Sequence, residues 1–198
     1  ARRAAQERAL RALEAAGPPG ADERVLAAAL AERLSSELAL DDAGFTRALL
    51  APLATPVHEV RAVFDNLPHE NREQWARVAA HLRQVPAALA DYADTLRESA
   101  AAGHVVAARQ VAGVADQCER WVSPSGDDFY RRLIAPAAAA ASGPADAAAL
   151  SSALGAGAVA ASEATARFVE FLRTELLPAA PRRDGVGREL YTVTSRAF

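Results

Sequence analysis

The chain has 198 residues, a net charge of −3, 22 basic residues that are all arginine, one cysteine and no methionine. That length is enough to bury a core. Interleaved acidic and basic residues exclude the basic face of a nucleic-acid binder, and no apolar run approaches the ~18 residues of a membrane span.

Ala1–Leu13 reads as a charged, alanine-rich helix and not as a signal peptide. The pattern extends to Ala16 and ends at Gly17-Pro18-Pro19-Gly20. Val25/Leu26, Leu30, Leu34 and Leu38 predict a second helix, capped by Asp22. Thr55-Pro56 reads as an N-cap followed by proline at the first helical position, with Val57, Val60, Phe64 and Leu67 on one stripe. Asp65-Asn66-Leu67-Pro68 ends that helix, and the next is expected to begin near Pro68. From Trp75 the apolar positions run Val78, Leu82, Val85, Leu89, Tyr92, Leu96, the alternating three-and-four spacing of one helix face. Pro86 interrupts that stripe without shifting its phase, which predicts a kink near Val85–Pro86 in one long helix.

After Gly103, Ala107, Val111, Val114, Cys118 and Trp121 form a further stripe, and Ser123-Pro124-Ser125-Gly126 is a turn cluster. Asp127 or Asp128 is placed to cap a short helix containing Phe129, Leu133 and Ile134. The low-complexity stretch 135–146 reads as a mobile connection or an exposed helix. A last long helix is expected from about Ala147 to Leu177, on the stripe Ala161, Thr165, Phe168, Leu172, Leu176, weakened by Gly155 and Gly157. Pro178–Gly187 reads as a loop, and Leu190–Thr194 is the one segment that could pass for a strand. The expected fold is all-α, an irregular array of about six or seven helices in a single domain over 1–198.

The sharpest local pattern is His69-Glu70-Asn71-Arg72-Glu73, of the form H-E-x-x-E. On a helix, His69 and Glu73 would share a face and could ligate a metal with Glu70 as base. The competing reading, acidic residues favoured at a helix start, is the stronger, because no third ligand is near. His58-Glu59 lacks a partner at Ala62, and His81 and His104 read as surface residues. Cys118, on an apolar stripe, reads as a small buried hydrophobe and fits a reducing, cytoplasmic compartment. Arg182, Arg183 and Arg188 either hold an anion or simply face solvent. Arg109-Gln110, inside an apolar helix, is a polar pair that either lines a cleft or bonds between helices.

Two stretches carry a resemblance. V-R-A-V-F-D-N-L-P (Val60–Pro68) continues through Trp75–Tyr92 to Arg109–Val111, and F-V-E-F-L-R-T-E-L-L-P-A-A (Phe168–Ala180) is followed by D-G-V-G-R-E-L-Y (Asp184–Tyr191). In this order they resemble the N-terminal half of bacterial proteins in domain of unknown function 885, a family similar to helical zinc carboxypeptidases of the carboxypeptidase Taq type. The resemblance implies that 1–198 is the N-terminal part of a longer, zinc-dependent hydrolase. The missing C-terminal half would hold zinc, a glutamate base and the attacking water, so no catalytic or metal-binding residue is expected within these residues. Their expected role is a cleft wall, with Arg109, Gln110 and Tyr191 facing a peptide-like substrate. The expected partners are the remaining half and that substrate, with no nucleic acid and no membrane. The alternative is a non-catalytic helical binding or interaction module.

Overall fold

The computed structural model describes residues 2–17, 20–123, 128–140, 143–185 and 187–197. In chain order the helices are α1 (Arg2–Ala15), α2 (Arg24–Asp42), α3 (Phe45–Ala48), α4 (Pro56–Asn66), α5 (Arg72–Leu82), α6 (Val85–Ala101), α7 (Ala108–Trp121), α8 (Phe129–Ile134), α9 (Pro144–Phe171), α10 (Leu177–Ala179) and α11 (Gly187–Ala197). A 3-10 turn at Ala135–Ala140 precedes α9, and a π-turn at Leu172–Leu176 joins α9 to α10. The described residues contain no strand, so the fold is all-α. They also contain no helix long and apolar enough to cross a membrane. The chain forms two compact units, one of residues 1–48 and 185–198, the other of residues 49–184.

The larger unit holds the hydrophobic core, from Leu50 to Leu176. α9 packs against α5, α6, α7 and α8. Its stripe Ala161, Thr165, Phe168, Leu172, Leu176 is buried throughout. Gly157 is where α9 meets α5: a Cβ there would lie 2.9 Å from Leu82 Cβ, so only glycine lets the two helices approach this closely.

The stripe from Trp75 to Leu96 is buried along its whole length. The direction change within it falls at Arg83–Gln84, where Gln84 N turns back to His81 O at 2.9 Å. Pro86 then sits in the first turn of α6, where its missing N–H costs nothing. α5 starts at Arg72 and not at Pro68, because Asn71 supplies the cap by accepting from Gln74 N at 3.1 Å. Asp128 caps α8 through Arg131 N. The Pro124–Gly126 part of the predicted turn cluster, and Asp127, lie outside the described residues.

In the smaller unit α2 touches α1, α3 and α11. The N-cap position of α2 is Glu23, without a side-chain cap bond, so Asp22 does not cap it. Leu40 is the one buried apolar residue among its described residues, while Val25, Leu26 and Leu30 are 80%, 72% and 45% exposed. The segment Leu190–Thr194 is helical, part of α11. Its β-branched residues are accommodated because Thr192 and Thr194 hydroxyls donate back to Arg188 O and Leu190 O, at 2.8 and 3.0 Å. Leu177–Ala179 is helical too, so the predicted loop Pro178–Gly187 shortens to the irregular residues after Ala179.

Candidate binding site on helices α4 and α7

Thr55 and Pro56 start α4 as the sequence predicts, and this start positions His58. The Thr55 backbone N–H donates to His58 Nδ1 at 3.4 Å, and Thr55 Oγ1 lies 3.0 Å from the same nitrogen. His58 occupies the place that glutamate or glutamine takes in an ordinary capping box. Its other nitrogen, Nε2, donates to Gln117 Oε1 on α7 at 2.8 Å, and its ring meets Trp121 edge-on at 5.5 Å. The half-buried imidazole thus spans two helices.

One turn further along α4, the Arg61 guanidinium lies 4.4 Å from the centre of the Phe129 ring and 5.4 Å from that of Trp121. Such placement over aromatic faces holds a cation without neutralising it. Asp65 approaches only to 3.7 Å, and Arg61 Nε is buried with no hydrogen-bond partner. A buried donor left unmet is costly, while the Arg61 side chain as a whole is 35% exposed.

The same unit buries aromatic and sulfur atoms. Tyr92 donates from its hydroxyl to Leu49 O at 2.6 Å. Burial pushes the Tyr92 and Tyr130 phenols upward from their ordinary value, and pushes the Cys118 thiol up to about 12. Such a thiol is not a nucleophile near neutral pH. Cys118 is the small buried hydrophobe its stripe implies.

The other predicted residues are distributed elsewhere. His69 and Glu70 precede α5, His69 Nδ1 lies 3.0 Å from Leu67 O, and Glu73 pairs with Arg77 within α5. The H-E-x-x-E pattern therefore forms no helical ligand face. No group of three histidine, cysteine, aspartate or glutamate residues among the described residues could hold a metal ion, so the donor set here does not fit zinc. His104 is exposed in the connection between α6 and α7. Arg109 is exposed on α7 and paired with Asp184 at 3.1 Å, and Gln110 beside it is half-buried. Tyr191 is exposed on α11 in the smaller unit, whereas Arg109 and Gln110 belong to the larger one. Arg182, Arg183 and Arg188 are exposed.

Farther along α7, a shallow depression of about 390 Å³ is lined by Asp116, Glu119, Arg120 and Ser123. Arg173, on the π-turn, donates to Asp116 and Glu119 at 2.8 and 2.6 Å. Glu175 on the same turn binds Arg97, which holds its carboxyl below the usual range. These cations hydrogen-bond carboxylates directly, whereas Arg61 has only the longer 3.7 Å contact with Asp65.

Sequence reading passed over Arg61 and set His58 aside for want of a ligand at Ala62. The signal that could have found them is the spacing Thr55, His58, Arg61: a helix cap, then one residue per turn on a single face. A family model described as bacterial protein of unknown function (DUF885) matches residues 1–198. No curated protein matches the sequence.

Proposed function

The chain belongs to the bacterial protein family DUF885, and from that premise we propose that residues 1–198 form the non-catalytic, substrate-recognising helical part of a metal-dependent, peptidase-like hydrolase. The similarity to carboxypeptidase Taq-type enzymes is part of this reading. In it the helices of the larger unit wall a cleft for a peptide-like substrate. Zinc and its glutamate base come from chain beyond these residues, against which they pack.

The observation that carries the reading is Arg61. Its planar, permanently charged fork suits a carboxylate bound through two parallel hydrogen bonds, and the side chain is 35% exposed with only a loose 3.7 Å contact to Asp65. His58 and Gln117 hold the adjoining α4 and α7 faces in register through their 2.8 Å bond. This chain's part is to bind and orient.

Kinetics of a longer protein carrying the proposed zinc-bearing half, on a peptide with a free carboxyl terminus, test this. Arg61→Ala is expected to raise KM by roughly tenfold to a hundredfold while leaving kcat within a factor of a few, the signature of lost uniform binding. Unchanged KM in that variant would contradict the assignment. A second reading, a non-catalytic interaction module, is favoured by the exposed Val25, Leu26 and Leu30. It predicts neither peptide hydrolysis nor bound metal in the longer protein.

A further inference from the structure

We propose that α2 pairs antiparallel with α2 of a second copy of this chain, through the face formed by Asp22, Val25, Leu26, Ala29, Leu30 and Arg33. The inference concerns the smaller unit and stands independently of the reading of Arg61.

Val25 and Leu26 are more than two-thirds exposed and Leu30 nearly half, in a unit that buries little else. Large apolar side chains clustered on one helix face mark an interaction surface more often than isolated ones do. The face is narrow. Asp22, Leu26, Ala29 and Arg33 are spaced four, three and four residues apart, the seam of a two-helix contact. Val25 and Leu30 flank that seam on its two sides.

The order of residues along the seam selects the occupant. A two-fold axis passing between Ala27 and Ala28 sets Leu26 of one copy against Ala29 of the other, twice. Each large residue then meets a small one, which lets the helices approach closely. Val25 of the first copy and Leu30 of the second lie at the same level, one on each flank of that layer. The same register sets Asp22 against Arg33 of the other copy at both ends, opposite charges closing both ends of the apolar strip. Asp22 sits in the turn from Gly20 that feeds α2, so the seam reaches it. Arg33 Nε bonds Glu37 at 2.7 Å on its own helix, and the side chain remains 63% exposed. A parallel pair would stack Asp22 on Asp22 and Arg33 on Arg33, and like charges would oppose it. The pattern is therefore complementary to itself only when antiparallel.

A contact this narrow gives a reversible dimer, with dissociation in roughly the micromolar range or weaker. Sedimentation equilibrium of the 198-residue chain over a wide concentration range tests the proposal. The expected mass rises from 20.7 kDa toward twice that value. Leu26→Asp is expected to abolish the rise with an unchanged far-ultraviolet spectrum, since the residue is exposed in the single chain. Arg33→Asp is expected to weaken association at least about fivefold, and Asp22→Arg combined with Arg33→Asp to restore it, as reversed but matched charges should. A mass fixed at 20.7 kDa up to the solubility limit would overturn the proposal. So would association that persists undiminished in Leu26→Asp, which would place the contact elsewhere. Failure of the double charge reversal to recover what the single change loses would overturn the antiparallel register.

Discussion

Gly157 sits where α9 crosses α5, and a methyl group there would press on Leu82 Cβ, an atom that cannot rotate away. Gly157→Ala is therefore expected to destabilise the chain by about 1–3 kcal/mol, although alanine is the better helix former. Urea denaturation reads this directly. At Cys118, burial raises the thiol from 9.0 to about 12. A group whose folded value is raised contributes stability that is intact below the unfolded value and lost as pH climbs through the folded one. Stability is thus expected to decline from about pH 9 upward, with Tyr92 and Tyr130 shifted in the same direction. The slope above pH 9 in Cys118→Ser, measured the same way, should be shallower. Native Cys118 should also resist thiol reagents at neutral pH until the chain unfolds.

At the scale of elements, the α5–α6 junction has a simple consequence. Pro86 lies in the first turn of α6, so Pro86→Ala is expected to change stability by less than ~1 kcal/mol, against the ~3 kcal/mol that an interior proline would represent. Asn71→Ala, which removes the cap of α5, is expected to cost about 1 kcal/mol; thermal or urea denaturation separates the two. These elements also show what a sequence reveals. The stripe from Trp75 to Leu96 was legible because burial follows helical periodicity, and the position of the break within it was not. That break depends on Gln84 N turning back to His81 O and on where α9 presses, neither of which leaves a periodic trace. α11 is hard to read because Thr192, Val193 and Thr194 favour strands locally, and helix formation there draws on packing against α2, with the threonine hydroxyls satisfied by back-bonding. His58 and Arg61 were illegible as a site because their meaning lies in Gln117, Trp121 and Phe129, brought from more than fifty residues away. Arg109 and Gln110 stand out in the sequence as a polar pair in an apolar helix, and Tyr191 as the end of the stretch that carries the family resemblance.

Across the whole molecule the two units differ in how much they bury. The larger has a continuous core around Trp75, Leu82, Val111, Leu154 and Leu172. The smaller has Leu40 alone among its described residues. Opening free energy tracks buried apolar contact, so backbone amides of α1 and α2 are expected to exchange with solvent faster than those of α5, α7 and α9. Hydrogen exchange followed by mass spectrometry at low chain concentration would show this, and equal protection in both units would contradict it.

Substrate recognition through Arg61 is the claim on which the functional reading turns, and Trp121 beside it provides the probe. The first measurement is a titration of tryptophan fluorescence with a short peptide bearing a free carboxyl terminus, alongside its amidated counterpart. The expected result is a saturable change with the free acid, much weakened by amidation and lost in Arg61→Ala. Equal responses from acid and amide, or an undiminished response in Arg61→Ala, would contradict the account.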